Sequence, residues 1–309
     1  MTSGFGKVIL LGEHAVVYGY PALAGAVALR VAARVSPADS SSLVVPAWEL
    51  KAARSEDDAV GRALGALLSA NCPENENWRI AATSTLPARA GLGSSAALSV
   101  AITRALAVAH GEELETSEVE ARAGAGERCF HDTPSGVDVA VAARGGLGLF
   151  TRKTGLVSID ARPVPIAIGL TGEPRQTSDL VARVASAKER DPASADAALA
   201  RLGELAELGA KACKGDQHTD RDRQLGAFFR EAQTLLASLD VSSPGIEEMV
   251  AAADEAGALG AKLTGAGGGG AVIAIAPGRE EEIASAWRKL GHEAFVTEVG
   301  VGGNSGENS

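Results

Sequence analysis

Gly91-Leu92-Gly93-Ser94-Ser95-Ala96-Ala97 stands between a segment that reads as a strand and one that reads as a helix. Upstream, residues 78–85 alternate Ile80, Ala82 and Ser84 with polar neighbours, the period-two pattern of a half-buried strand, and Pro87 stops it. Downstream, residues 96–110 are rich in strong helix formers. The first backbone N–H groups of a helix lack partners within the helix, and its dipole favours an anion there. Glycine lets phosphate oxygens come close to the backbone. Ser94 and Ser95 add hydroxyls suited to capping the helix or reaching a metal, and sequence logic alone does not separate them. A tight turn with an ordinary helix cap would read the same way. The motif therefore needs company.

Two familiar phosphate frames do not fit. Gly6-Lys7 is followed by Val8 and lacks the upstream glycine of the Walker pattern. A dinucleotide fingerprint needs an acidic residue at a strand end about 20 positions on. Glu112 and Glu113 lie near that distance but follow a helix.

The company is two further glycine clusters. One is Gly6-Lys7-Val8-Ile9-Leu10-Leu11-Gly12-Glu13-His14-Ala15-Val16-Val17-Tyr18-Gly19, where an apolar strand over 8–11 ends in Glu-His. The other is Lys262-Leu263-Thr264-Gly265-Ala266 followed by four glycines, Gly267 to Gly270, more than a simple turn requires. Glycine makes up 37 of the 309 residues, against an average near ~7%. No G-X-Y period is present, and 46% of the chain is hydrophobic, so the excess serves folded loops and not collagen or disorder.

Farther out, 22–35 reads as a second strand, 36–42 as a loop and 56–70 as a helix. Ser117 with Glu120 three residues on predicts a capping box opening another helix. Residues 145–150 look like a turn entering a strand, and 157–168 like a strand interrupted by Pro163 and Pro165. Residues 178–231 are helical in character, 246–258 and 280–290 are helices, and 271–276 and 294–299 are strands. The expected class is α/β, or α+β, in two domains over 1–165 and 166–300, with 301–309 a disordered tail.

Lys plus Arg is 29 and Asp plus Glu is 39, a net charge of −10, which argues against nucleic acid or an anionic membrane as a main partner. No apolar run reaches the length of a spanning helix. Three cysteines without a C-x-x-C pair point to reduced thiols, and the first residues lack the order of a signal peptide. The expected localisation is cytoplasmic.

Together the three clusters carry a family resemblance. Gly6-Lys7 with Gly12-Glu13-His14, then Pro87 with Gly91-Leu92-Gly93-Ser94-Ser95-Ala96-Ala97, then Lys262 to Gly270, resemble the three ordered motifs of the GHMP small-molecule kinases. Within that superfamily, Glu13-His14-Ala15-Val16-Val17-Tyr18-Gly19-Tyr20-Pro21-Ala22 is most like the mevalonate kinase branch. Gly126-Glu127-Arg128, His131, Pro134-Ser135-Gly136-Val137-Asp138 and Pro174-Arg175-Gln176-Thr177 resemble further segments of it. The chain departs from the usual pattern at Gly4-Phe5-Gly6, where Ala-Pro-Gly is common, and at Ala88-Arg89.

The resemblance implies a GHMP kinase fold, with a ribosomal-S5-like N-terminal domain and a ferredoxin-like C-terminal domain. It implies ATP-dependent phosphorylation of (R)-mevalonate at its 5-hydroxyl, giving 5-phosphomevalonate and ADP in isoprenoid biosynthesis. Asp138 is the implied base and Lys7 its cationic neighbour. Gly91, Leu92, Gly93, Ser94, Ser95 and Ala96 would bind ATP, and Ser95 and Glu127 would hold Mg²⁺. Glu13, His14 and Thr177 would bind the acceptor, with Arg175 as a further carboxylate partner, although Thr177 reads equally well as a helix cap. ATP and mevalonate are the expected partners, with neither nucleic acid nor membrane, and a homodimer is the assembly the reading admits. Other acceptors such as homoserine or phosphomevalonate, and a non-catalytic sensor, stay open at this point.

Overall fold

A computed structural model describes residues 1–302 except 89, 131–134, 174–176 and 215–217. His131, Pro134, Arg175 and most of the expected tail therefore lie outside the described residues. The chain divides into two compact units, Met1–Lys7 with Ala28–Gly145, and Val8–Val27 with Gly146–Ser309. Strands β1 (Thr2–Leu11) and β2 (Ala22–Pro37) each contribute residues to both.

In the first unit, β3 (Ser42–Val45) and β4 (Leu50–Ala53) form an antiparallel pair. Helix α1 (Ala59–Asn71) follows, opened by Asp58, whose carboxylate accepts from the Gly61 N–H at 2.7 Å. Next comes β5 (Trp78–Ser84), which lies between β3 (parallel) and the later part of β2 (antiparallel). Helix α2 (Ser94–His110) is set off by glycines at both ends, Gly93 at φ 72° and Gly111 at φ 70°. These are left-handed positions that a side chain would strain.

Helices α3 (Thr116–Glu127) and α4 (Val137–Arg144) pack against α2. Ala96, Val100, Val119, Ala123, Val139, Ala142 and Ala143 make their shared core. Burying each of the three valines contributes about 1.5–3 kcal/mol at most. The box that opens α3 falls two residues before the expected one: the Glu115 N–H donates to Glu118 at 2.9 Å. Glu120, the expected partner of Ser117, is instead the acceptor for the Arg144 guanidinium at the end of α4, a stronger charge-assisted contact.

In the second unit, β6 (Leu147–Thr151) pairs with the first residues of β2 and with β7 (Gly155–Ile159). Strand β8 (Val164–Leu170) follows, so the expected single strand over 157–168 is two, parted by the segment that holds Pro163. Three helices come next: α5 (Thr177–Arg190), α6 (Pro192–Cys213) and α7 (His218–Ser238). Helix α8 (Pro244–Glu255) starts from Ser243, whose hydroxyl accepts from the Ile246 N–H, with Pro244 pre-set in the first turn. Then β9 (Gly260–Thr264), β10 (Ala271–Ile275), α9 (Glu280–Lys289) and β11 (Glu293–Val299) complete an antiparallel order β11-β8-β10-β9. All five residues of β9 and all five of β10 are buried. Among the described residues, no helix is long and apolar enough to cross a membrane.

Candidate active site

Two sets of expected residues are each drawn together by hydrogen bonds and ion pairs. The first lies in the unit that carries α2. The Lys7 N–H donates to the Leu92 carbonyl at 2.8 Å, tying the loop before α2 to β1. From the same residue, Lys7 Nζ reaches Asp138 Oδ1 at 2.7 Å. Asp138 stands in the first turn of α4 behind Gly136, where the helix dipole favours a carboxylate. Gly93 is the floor beneath this pair: a Cβ there would lie 3.3 Å from Lys7 Cβ and 3.4 Å from Asp138 Oδ1. The glycine thus gives both the left-handed cap and the close approach of the ion pair to the helix start.

Glu127 ends α3 and is buried. Gly126 presses α3 onto α2, since a Cβ there would stand 2.8 Å from Ser99 Oγ. Ser95 lies one turn before Ser99 on the same face of α2, and its hydroxyl favours the charged form of the Glu127 carboxylate. Burial pushes Glu127 up to about 7 and the Asp138 carboxylate adds to the rise, while Ser95 and the Lys7 ammonium draw it back down. Glu127 Oε1 is buried without a hydrogen-bond partner in the described structure. Gly91, Leu92, Gly93, Ser94, Ser95 and Ala96 form the loop and first turn above this carboxylate set.

The second set lies in the other unit. Past β1, Gly12 takes φ 94° and His14 takes φ 59° with ψ −45°. The Ala15 N–H donates to the Glu13 carbonyl at 2.6 Å, so His14 is the centre of a three-residue γ-turn of the rare, strained kind. Its ring Nε2 is 2.8 Å from the Ala266 carbonyl, which can only accept, so Nε2 carries the proton. Glu13 is fully buried, and its carboxylate accepts from Lys262 of β9. The Lys262 ammonium also donates to the Leu263 carbonyl at 2.6 Å and lies 5.5 Å from the centre of the Phe229 ring. Burial pulls this ammonium below the ordinary lysine value, and Glu13 opposes that pull. Thr264 bonds both backbone groups of Ile9, donating to the carbonyl at 2.8 Å and accepting from the N–H at 3.2 Å. Thr177 is the exposed first residue of α5.

The sequence motif gives Lys262 no role of its own. Its signal was a lone charge in an otherwise apolar strand, a residue type almost never buried unless paired. Nothing local names Glu13 as the partner.

Comparison with known proteins places these motifs. The family model described as the GHMP kinases N terminal domain matches residues 58–146, and that described as GHMP kinases C terminal matches 218–293. The chain is 35% identical to a mevalonate kinase of Pyrococcus horikoshii, covering 97% of this chain and 95% of the relative. It is 33% identical to one of Thermococcus sibiricus, covering 97% and 96%. Among solved structures, L. major mevalonate kinase in complex with R-mevalonate superposes with a TM-score of 0.84 at 25% identity, covering 98% of this chain and 96% of that one. The chain belongs to the GHMP kinases, and within them to the mevalonate kinase family.

Proposed function

We propose that this protein transfers the γ-phosphoryl group of ATP to the 5-hydroxyl of (R)-mevalonate, giving 5-phosphomevalonate and ADP for isoprenoid biosynthesis. The observation that carries the reading is the Lys7–Asp138 pair set against the glycine start of α2. Phosphoryl transfer depends on positioning and charge stabilisation more than on covalent catalysis. The backbone N–H groups of the Gly91–Ala96 segment, at a helix N-terminus, hold the phosphates. Asp138 accepts the hydroxyl proton of the acceptor, and Lys7 stabilises the negative charge that develops beside it. A net charge of −10 makes these local donors necessary for binding two anionic substrates.

The donor set also suits Mg²⁺, which prefers hard oxygen ligands and few of them from protein. Ser95 and Glu127 would hold it: one hydroxyl, one buried carboxylate, and an Oε1 left without a protein partner. Bound there, the cation would neutralise phosphate charge. On the acceptor side, His14 and Thr177 contact mevalonate, and Glu13, anchored by Lys262, fixes the turn that presents His14. Cysteines 72, 129 and 213 are free thiols, in keeping with a cytoplasmic enzyme.

The test is coupled ADP release with mevalonate, phosphomevalonate and homoserine as acceptors. A strong preference for mevalonate is expected. Comparable rates with homoserine, or none with mevalonate, would overturn the assignment.

A further inference from the structure

At the far end of α2 from the phosphate loop, three metal-ligating side chains of different chemistry converge. Cys72 caps the C-terminus of α1, Glu76 lies in the loop before β5, and His110 is the last residue of α2. At ~1.5 Å per residue, His110 stands roughly 24 Å along the helix from Ser94. One ligand atom from each residue lies within 4.8 Å of the other two, and all three residues are partly exposed. We propose that Cys72, Glu76 and His110 form a site for a divalent transition cation that accepts a thiolate, with Zn²⁺ as the representative ion. The site is separate from the Mg²⁺ chemistry of phosphoryl transfer and goes beyond it.

The ligand set selects this class of ion. Sulfur, imidazole nitrogen and one carboxylate oxygen suit Zn²⁺ and its neighbours, whereas Mg²⁺ takes oxygen. Three protein ligands leave a fourth position for water. Bonds of about 2.0–2.3 Å in tetrahedral geometry put ligand atoms about 3.3–3.8 Å apart. The separations here, all within 4.8 Å, need to change by no more than about 1.5 Å.

The ring is already oriented for this task. His110 Nδ1 is 2.8 Å from the Leu106 carbonyl, which can only accept, so Nδ1 holds a proton and Nε2 is the nitrogen that faces Glu76, at 2.7 Å. A ligating histidine commonly donates its other N–H to a backbone carbonyl in this way. Trp78 packs edge-on to the ring at 5.4 Å and donates its Nε1–H to Glu76 Oε2 at 3.1 Å, fixing both partners. Without metal, a proton on Nε2 bridges to Glu76, and the Cys72 thiol is held protonated by burial and by the nearby carboxylates. Binding exchanges protons for the cation: the Sγ–H and Nε2–H protons leave to solvent as the S–M and N–M bonds form. Glu76, already ionised, supplies an oxygen lone pair.

Titration of the purified full chain with Co²⁺ tests the site. Thiolate ligation gives sulfur-to-cobalt charge-transfer absorption in the near ultraviolet and tetrahedral bands in the visible. Saturation at one Co²⁺ per chain is expected, reversed by Zn²⁺ and insensitive to excess Mg²⁺. The charge-transfer band should vanish in Cys72→Ser and persist in Cys129→Ser. In His110→Gln the apparent affinity should fall about tenfold or more. Far-ultraviolet circular dichroism checks that each variant is folded, and His110→Gln keeps the test open if Cys72→Ser is not. Absence of the band in the unmodified protein, its survival in folded Cys72→Ser, or an unchanged affinity in folded His110→Gln would overturn the proposal. None of these outcomes bears on the kinase reading.

Discussion

Lys7 Nζ lies 2.7 Å from Asp138 Oδ1, with the lysine side chain 5% exposed and the aspartate side chain 34% exposed. The cation is shut in and committed to one partner, while the carboxylate keeps a face toward solvent where a hydroxyl can arrive. Asp138→Asn keeps the shape and removes the proton acceptor. We expect kcat to fall about 10²–10⁴-fold with ATP affinity nearly unchanged. Steady-state kinetics and nucleotide titration check this, and near-normal turnover would remove Asp138 as the base.

Ser95 and Glu127 give a second prediction. If the hydroxyl and the buried carboxylate share one cation, Ser95→Ala and Glu127→Gln each raise the Mg²⁺ concentration needed for half-maximal rate. The double variant should cost less than the sum of the singles, because the two groups serve one ion. The readout is an Mg²⁺ titration at fixed ATP for all four proteins. Unchanged midpoints would place the metal elsewhere.

In the second unit the Glu13–Lys262 ion pair is fully buried, with both side chains at 0% exposure. Removing one member of a fully buried ion pair unbalances the site's charge, a change that costs about 3–5 kcal/mol, whereas replacing both with apolar groups of like size is often neutral. Lys262→Met should therefore lower the urea midpoint sharply, and Glu13→Leu with Lys262→Met should recover most of the loss. Full additivity of the two single losses would contradict a mutual pair.

These sites differ in how visible they were in the sequence. The strand-loop-helix at 78–110 was legible because alternation, Pro87, two glycines and an alanine-rich run all agree locally. Helix α4 was not anticipated. Val137-Asp138-Val139-Ala140-Val141 is rich in a β-branched residue, and burial of Val139, Ala142 and Ala143 against α2 and α3 favours the helix over that local preference. The β3–β4 pair has four residues in each strand and partners β5 from more than 30 positions away, so no periodicity announces it. The sequence puts Lys262-Leu263-Thr264 in a glycine cluster and does not mark β9 as a strand, since Lys262 interrupts its apolar run. The partner that permits its burial lies 249 residues earlier. The glycine and acidic motifs of the site were legible as residues, and Gly93 and Gly126 as close-packing positions were not, since that role exists only once the helices meet.

The last prediction concerns pH. Arg201 of α6 holds the Glu231 carboxylate of α7 with two hydrogen bonds, at 2.6 and 3.1 Å. That contact keeps Glu231 below its ordinary value of 4.5 in the folded state. A carboxylate depressed on folding contributes stability that is fully present above its unfolded value and is lost as pH falls through the folded one. Both side chains are about 40% exposed, so solvent screening limits the pair to about 0.2–1 kcal/mol. Glu231→Gln should thus lower the urea midpoint slightly near about pH 7, and the gap should close as pH is taken below about 4. A gap that stays constant over that range would mean the carboxylate charge does not carry the effect and that packing of the α6–α7 contact does.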